Sequence, residues 1–179
     1  YWGEKPKAAK VLIKVIPDPV SRALAFETGE IDLIYGMGQI NFDTFDRLRK
    51  AKGVDTAVSS PMGTMSLAIN SAAGPTQDLA VRRAIQHLTN KAALIKGVTL
   101  ETQPLADTLF YAKFPYCDVG LVPYAYDQAK AAELLDQAGW KLVPGKKIRE
   151  RDGSPLVIDL CFTGNDAAHK AIAEVLQAQ

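Results

Sequence analysis

Apolar and polar positions along the chain alternate between two rhythms. The run Lys10-Val11-Leu12-Ile13-Lys14-Val15-Ile16 is filled with branched residues and closed by Pro17-Asp18-Pro19, which marks a strand because proline cannot continue a ladder. A helix is predicted next. Pro19 suits a first turn, Arg22, Ala23, Ala25 and Phe26 recur at helical spacing, and Gly29 fits the left-handed position past a helix end. Ile31 to Tyr35 then reads as a second strand before Gly36 and Gly38. Asp43 is predicted to cap a helix through Lys50, with Phe45 and Leu48 as its stripe, and Val54 to Val58 reads as a third strand beyond Gly53. Strands alternating with helices predict a βαβ unit with a mostly parallel sheet, so the fold class is α/β.

Ser59-Ser60-Pro61-Met62-Gly63 interrupts this pattern, and Thr64 to Asn70 resumes as a strand. From Leu79 to Gly97, the positions Val81, Ala84, Ile85, Leu88, Leu94 and Ile95 give one helix or two abutting ones, with Asn90 placed to cap the second. Leu100 to Tyr126 carries several prolines and aromatics without periodicity and reads as a long ordered loop. Asp127 caps a periodic helix, Ala129, Ala132, Leu134, Leu135 and Ala138, that stops at Gly139. Lys146 to Arg151 with Asp152-Gly153 predicts a polar hairpin before a strand from Leu156 to Phe162. Asp166 opens a final helix that runs to Gln179.

Length adds that 179 residues suffice for a real core without disulfides or metal. Hydrophobic residues at 47% and charged residues at 23% are ordinary for a globular protein. Lys plus Arg at 21 against Asp plus Glu at 20 leaves a net charge of +1, so no field steers a polyanion and nucleic acid is not expected as a partner. No apolar run approaches the roughly 18 residues that span a bilayer, so the chain is not expected to cross a membrane. It opens at Tyr1-Trp2-Gly3 with no leader and closes inside a helix, which reads as a piece of a longer precursor. Cys117 and Cys161 stand far apart with no CxxC around them; a disulfide is possible but unsupported, and Cys161, inside the run Leu156 to Phe162, is expected to be a buried free thiol.

Catalytic chemistry finds little support. His87 and His169 both fall in predicted helices and read as satisfied or solvent-facing rather than as a metal pair. There is no GxSxG, HExxH, GxxxxGK[ST] or GxGxxG, and Gly36-Met37-Gly38 is a loop glycine pair without its third partner. Asp18, Glu27, Glu30 and Asp32 flank the first helix in positions that suit capping and solvated faces. Phe110, Tyr111, Phe114, Tyr116, Tyr124 and Tyr126 gather in the long loop, where they fit a small local core better than a ligand platform. The charge run Lys141 to Arg151 reads as a solvated hairpin.

Four segments carry a resemblance. Tyr1-Trp2-Gly3-Glu4-Lys5-Pro6; Arg22-Ala23-x-Ala25-Phe26-Glu27-Thr28-Gly29-Glu30-Ile31-Asp32; Val81-Arg82-Arg83-Ala84-Ile85 with Asn90-Lys91 and Leu94-Ile95; and Tyr126-Asp127-x-x-Lys130-Ala131-x-x-Leu134-Leu135-x-x-Ala138-Gly139-Trp140 resemble, in order, segments of the extracellular solute-binding proteins, family 5, of peptide and nickel ABC importers. Val15 to Pro19, Ala106 to Phe110, and Gly145 to Glu150 followed by Gly153-x-Pro155-Leu156 are similar to its nickel-binding branch. The resemblance implies part of a two-lobed type II periplasmic binding-protein fold, with mixed sheets flanked by helices. On it, residues 1–63 are the last part of the first lobe, 64–70 an interlobe crossover strand, and 71–179 the first part of the second lobe. It implies a periplasmic (or extracellular, membrane-associated), non-enzymatic component that binds nickel, as a small chelate, and delivers it to a membrane permease; the alternative is an oligopeptide or dipeptide binding protein. Met62, Thr64 and Ser66 are the implied cleft-edge or hinge residues. No metal ligand is assigned within the chain, and the excised segment is expected neither to bind nickel tightly alone nor necessarily to stay monomeric.

Overall fold

The computed structural model describes residues 2–5, 7–36, 38–164 and 166–179. Tyr1 and Pro6 of the opening motif and Met37 of the Gly36/Gly38 pair lie outside the described residues. Two compact units divide the chain, Tyr1–Val54 and Asp55–Gln179.

In the first unit, α1 (Pro19–Glu27) begins where sequence places it: Pro19 occupies the first turn and the Asp18 carboxylate accepts from the Ser21 N–H at 2.7 Å. The same carboxylate takes the Ser21 hydroxyl, and these bonds hold its pKa below the ordinary value. The helix buries Ala23 and Ala25, and the chain leaves it through Gly29 at φ +74°, where a side chain would be strained. Arg22 does unusual work. Its guanidinium donates to the carbonyls of Ile16 (3.0 Å), Pro17 (3.1 Å) and Gln39, tying the segments on both sides of α1 to it. Helix α2 (Phe42–Leu48) follows, buries Leu48 and pairs Arg47 with Glu27. Its cap position is Asn41 rather than Asp43, which sits inside the first turn where a carboxylate favours the helix dipole.

The second unit is built on a helix pair. Helices α3 (Leu79–Leu88) and α5 (Gln128–Gln137) pack together, and Val81, Ala84, Ala131, Leu135 and Trp140 form the core, flanked by Ile85, Leu88, Ala138 and Leu156. Alanines at 84 and 131 let the two backbones approach, while Trp140 closes the end of the layer. Helix α4 (Lys91–Gly97) starts at Asn90, whose side chain accepts from Ala93 N–H at 3.0 Å. Helix α6 (Ala167–Ala178) starts at Asp166, which accepts from Ala168 and His169, and ends with Gln179 accepting from the Asn90 N–H at 2.8 Å.

The sheet is where expectation and structure part. Among the described residues the only ladder is the hairpin β1 (Glu150–Arg151) and β2 (Ser154–Pro155), turned by Asp152 and Gly153 at positive φ and extended by a Lys141/Glu150 bridge. The segments 10–16, 31–35, 54–58, 64–70 and 156–162, predicted as strands, form no ladder, so the βαβ unit is not closed among the described residues. A strand exists only when a neighbouring strand takes its N–H and C=O groups in succession; these segments make single bonds, such as Leu156 N–H to the Arg149 carbonyl at 2.7 Å, but no such series. Their side chains agree: Ile13 and Val15 are 84% and 87% exposed, and Val157 and Ile158 are about half exposed. For the same reason Cys161 is an exposed free thiol instead of a buried one, and Cys117 is free and half-buried.

Candidate functional site

Met62, Thr64 and Ser66 lie on the irregular stretch between the last turn of the first unit and the 3-10 turn Pro75–Gln77. Met62 is 87% exposed and Ser66 is exposed, with Thr64 half-buried between them, so the stretch offers a thioether and hydroxyls outward. Two hollows in the second unit are lined by described residues. One, of about 230 Å³, is enclosed by the long loop itself and lined by Leu105, Asp107, Phe110, Tyr111, Asp118 and Leu121 among others. Both carboxylates there are engaged: Asp107 pairs with Lys91 at 3.1 Å and Asp118 accepts from Gly120 N–H at 3.2 Å. The other, of about 220 Å³, lies against α3 and is lined by Ile69, Leu79, Arg82, Arg83, Gln86 and Tyr124.

The loop aromatics divide between these surroundings. Tyr111 and Phe114 meet edge to face with centroids 5.5 Å apart, the small local core expected of an ordered loop. Tyr116 is fully exposed at φ +65° and Phe110 is largely so. Tyr124 stands edge-on to His87 at 5.2 Å, whose Nδ1 lies 2.8 Å from the Ala125 carbonyl. His169 instead faces Asp166 at 3.8 Å on α6. Each histidine thus has its own local contacts, and the described residues contain no group of three or more His, Cys, Asp or Glu able to hold a metal ion. Nor is any helix among them long and apolar enough to cross a membrane.

Sequence reading missed the best-connected polar cluster. Asp78 caps α3 by accepting from Ala80 N–H at 2.9 Å, while its other oxygen accepts from Arg151 of β1 at 2.7 Å. Arg151 also donates to the Ala138 carbonyl at 3.2 Å and lies 4.3 Å over the Trp140 ring. Burial pushes the Asp78 carboxyl up, but the Ala80 N–H, the Arg151 charge and the nearby Trp140 indole outweigh it and hold the pKa below its ordinary value. The indole N–H acts as a close dipole, since it meets no acceptor at hydrogen-bonding geometry among the described residues. Arg149 adds bonds to Asp136 (2.6 Å) and the Trp140 carbonyl (2.8 Å). The charge run is therefore not simply solvated: its two arginines clamp the hairpin to the end of α5. Only the Asp before α3 was a signal, because the partners stand 73 residues apart.

Comparison with known proteins places this arrangement in the class of two-lobed type II binding proteins. In a crystal structure of NikA from Brucella suis in complex with Fe(III)-EDTA, a matching region superposes with a TM-score of 0.94 at 52% identity, covering 99% of this chain and 36% of that one. All of residues 1–179 match the bacterial extracellular solute-binding proteins, family 5 Middle, and the chain belongs to that family. It is 50% identical over 179 residues to the nickel-binding periplasmic protein of Escherichia coli (strain K12), covering 99% of this chain and 34% of that protein. It is 28% identical over 186 residues to the oligopeptide-binding protein OppA of Lactococcus lactis subsp. lactis, covering 97% and 31%. The chain thus spans about a third of the length of the relatives it matches.

Proposed function

We propose that this chain is part of the periplasmic substrate-binding component of an ABC importer, which takes up nickel as a small chelate and hands it to a membrane permease. The observation that carries the reading is the 50% identity, sustained over 99% of the chain, to a nickel-binding periplasmic protein. The metal enclosed by EDTA in the Brucella relative supports a chelate rather than a bare ion as cargo. No chemical step is involved: the protein binds, closes about a hinge and releases. Residues 1–63 would close the first lobe, 64–70 would cross between lobes and 71–179 would open the second, with Met62, Thr64 and Ser66 at the cleft edge.

The test is calorimetric titration of the ligand-stripped, full-length protein with nickel, with nickel plus free histidine, and with a pool of short peptides. Saturable heat from nickel plus histidine, weakened by the combined Met62→Ala, Thr64→Val and Ser66→Ala changes, supports both the cargo and the cleft edge. Heat from peptides alone would replace this reading with an oligopeptide or dipeptide binder, which the likeness to OppA favours. No heat with any of them would sink both.

A further inference from the structure

Six of the seven arginines already have partners. Arg47, Arg49, Arg149 and Arg151 pair with carboxylates, Arg22 serves three carbonyls, and one Arg82 nitrogen serves the Thr76 and Gln77 carbonyls, both at 2.8 Å. Arg83, exposed on α3, is the one with no hydrogen bond or ion pair among the described residues. It lines the hollow of about 220 Å³ together with Arg82, Gln86 and Tyr124, and no carboxylate lines that hollow. Leu79 and Tyr124, each about half exposed, give it an apolar rim.

We propose that this hollow receives an Asp or Glu side chain of the permease, docking the second unit onto the membrane complex. A guanidinium fork matches a carboxylate in a bidentate way, and Arg82, already fixed by two carbonyls, supplies a second positive charge without further ordering cost. The hollow has room for an acidic side chain, and a rim of Leu and Tyr beside Arg is the composition of a protein contact rather than of a site for a small hydrated anion. This proposal rests on the importer reading above.

The experiment uses full-length protein and its permease in proteoliposomes, with ATPase rate followed against binding-protein concentration. Arg83→Ala should raise the half-saturating concentration about 10-fold, Arg83→Glu further, and Arg83→Lys should restore part of it, with the maximal rate and nickel-chelate affinity unchanged. Added salt should shift the wild type toward the alanine variant. An unchanged half-saturation would overturn the proposal. So would a loss of ligand affinity or of thermal stability in Arg83→Ala, since the hollow would then hold the cargo or another stretch of the same polypeptide. Arg83-dependent binding of inorganic phosphate with normal docking would make it a small-anion site and also overturn it. If the wild type binds no chelate and drives no ATPase, the importer reading itself falls, an outcome separate from these.

Discussion

Replacing Asp78 by alanine removes two supports at once, and their sizes can be worked from the geometry. The cap bond to Ala80 N–H is worth about 1 kcal/mol. The pair with Arg151 has side-chain exposures of 22% for Asp78 and 38% for Arg151, so solvent screening limits it to about 0.5–1 kcal/mol. Their sum, about 1.5–2 kcal/mol, should lower the melting temperature of a full-length protein about three times as long as this chain by roughly 1–2 °C. Asp78→Asn keeps a capping oxygen and should lose only the ion-pair share. A double-mutant cycle with Arg151→Met isolates the coupling, which should account for that share. The sign with pH follows from the lowered pKa of Asp78. A depressed folded-state value means that the stabilisation is present in full above the ordinary carboxyl range, about 4, and is lost as pH falls toward the folded value. The deficit of Asp78→Ala, measured by urea melts at pH 7 and pH 3, should therefore shrink at the lower pH. A cost below 0.5 kcal/mol, or no coupling to Arg151, would refute the assignment of this cluster as the clamp between α3, the hairpin and the end of α5.

Three further outcomes follow from the packing. Leu135→Ala, at a position 6% exposed in the α3/α5 core, should destabilise by about 2–5 kcal/mol in chemical denaturation, whereas Leu24→Ala on the exposed side of α1 should stay within about 0.5 kcal/mol. Gly139→Ala should cost about 1 kcal/mol or more, because φ is +85° and the new Cβ would stand 3.4 Å from the Arg151 side chain; a neutral result in a thermal melt would contradict the turn geometry. In the 179-residue chain produced alone, Cys161 should react with an aromatic disulfide reagent faster than Cys117, and in the full-length protein Cys161 should slow by at least about 10-fold if further strands cover the 156–162 run.

That last contrast bears on what the sequence could reveal. Helices were legible because their determinants are local: Asp18, Asn90, Asp127 and Asp166 each accept from an N–H two or three residues on, at the start of α1, α4, α5 and α6, and Asp78 does the same for α3 although only the apolar periodicity of α3 was read. The Asp152-Gly153 hairpin was legible for the same reason, since its turn carries its own conformational demand. Strands are different in kind. Lys10 to Ile16 and Leu156 to Phe162 have the composition of strands, yet composition supplies only side chains that suit a pleated surface, while the ladder must come from elsewhere. Buried Cys161 was inferred from apolar neighbours in sequence, and neighbours in sequence do not bury a residue; a second layer does. The Asp78–Arg151–Trp140 cluster escaped for a related reason, because a contact between residues 78 and 151 leaves no periodicity behind. Family likeness supplied what local pattern could not, since a match over residues 1–179 compares the whole chain with its relatives rather than one short segment at a time. The exposed branched residues at 11–15 and 157–160 have the composition of strand faces, and among the described residues no strand pairs with either run.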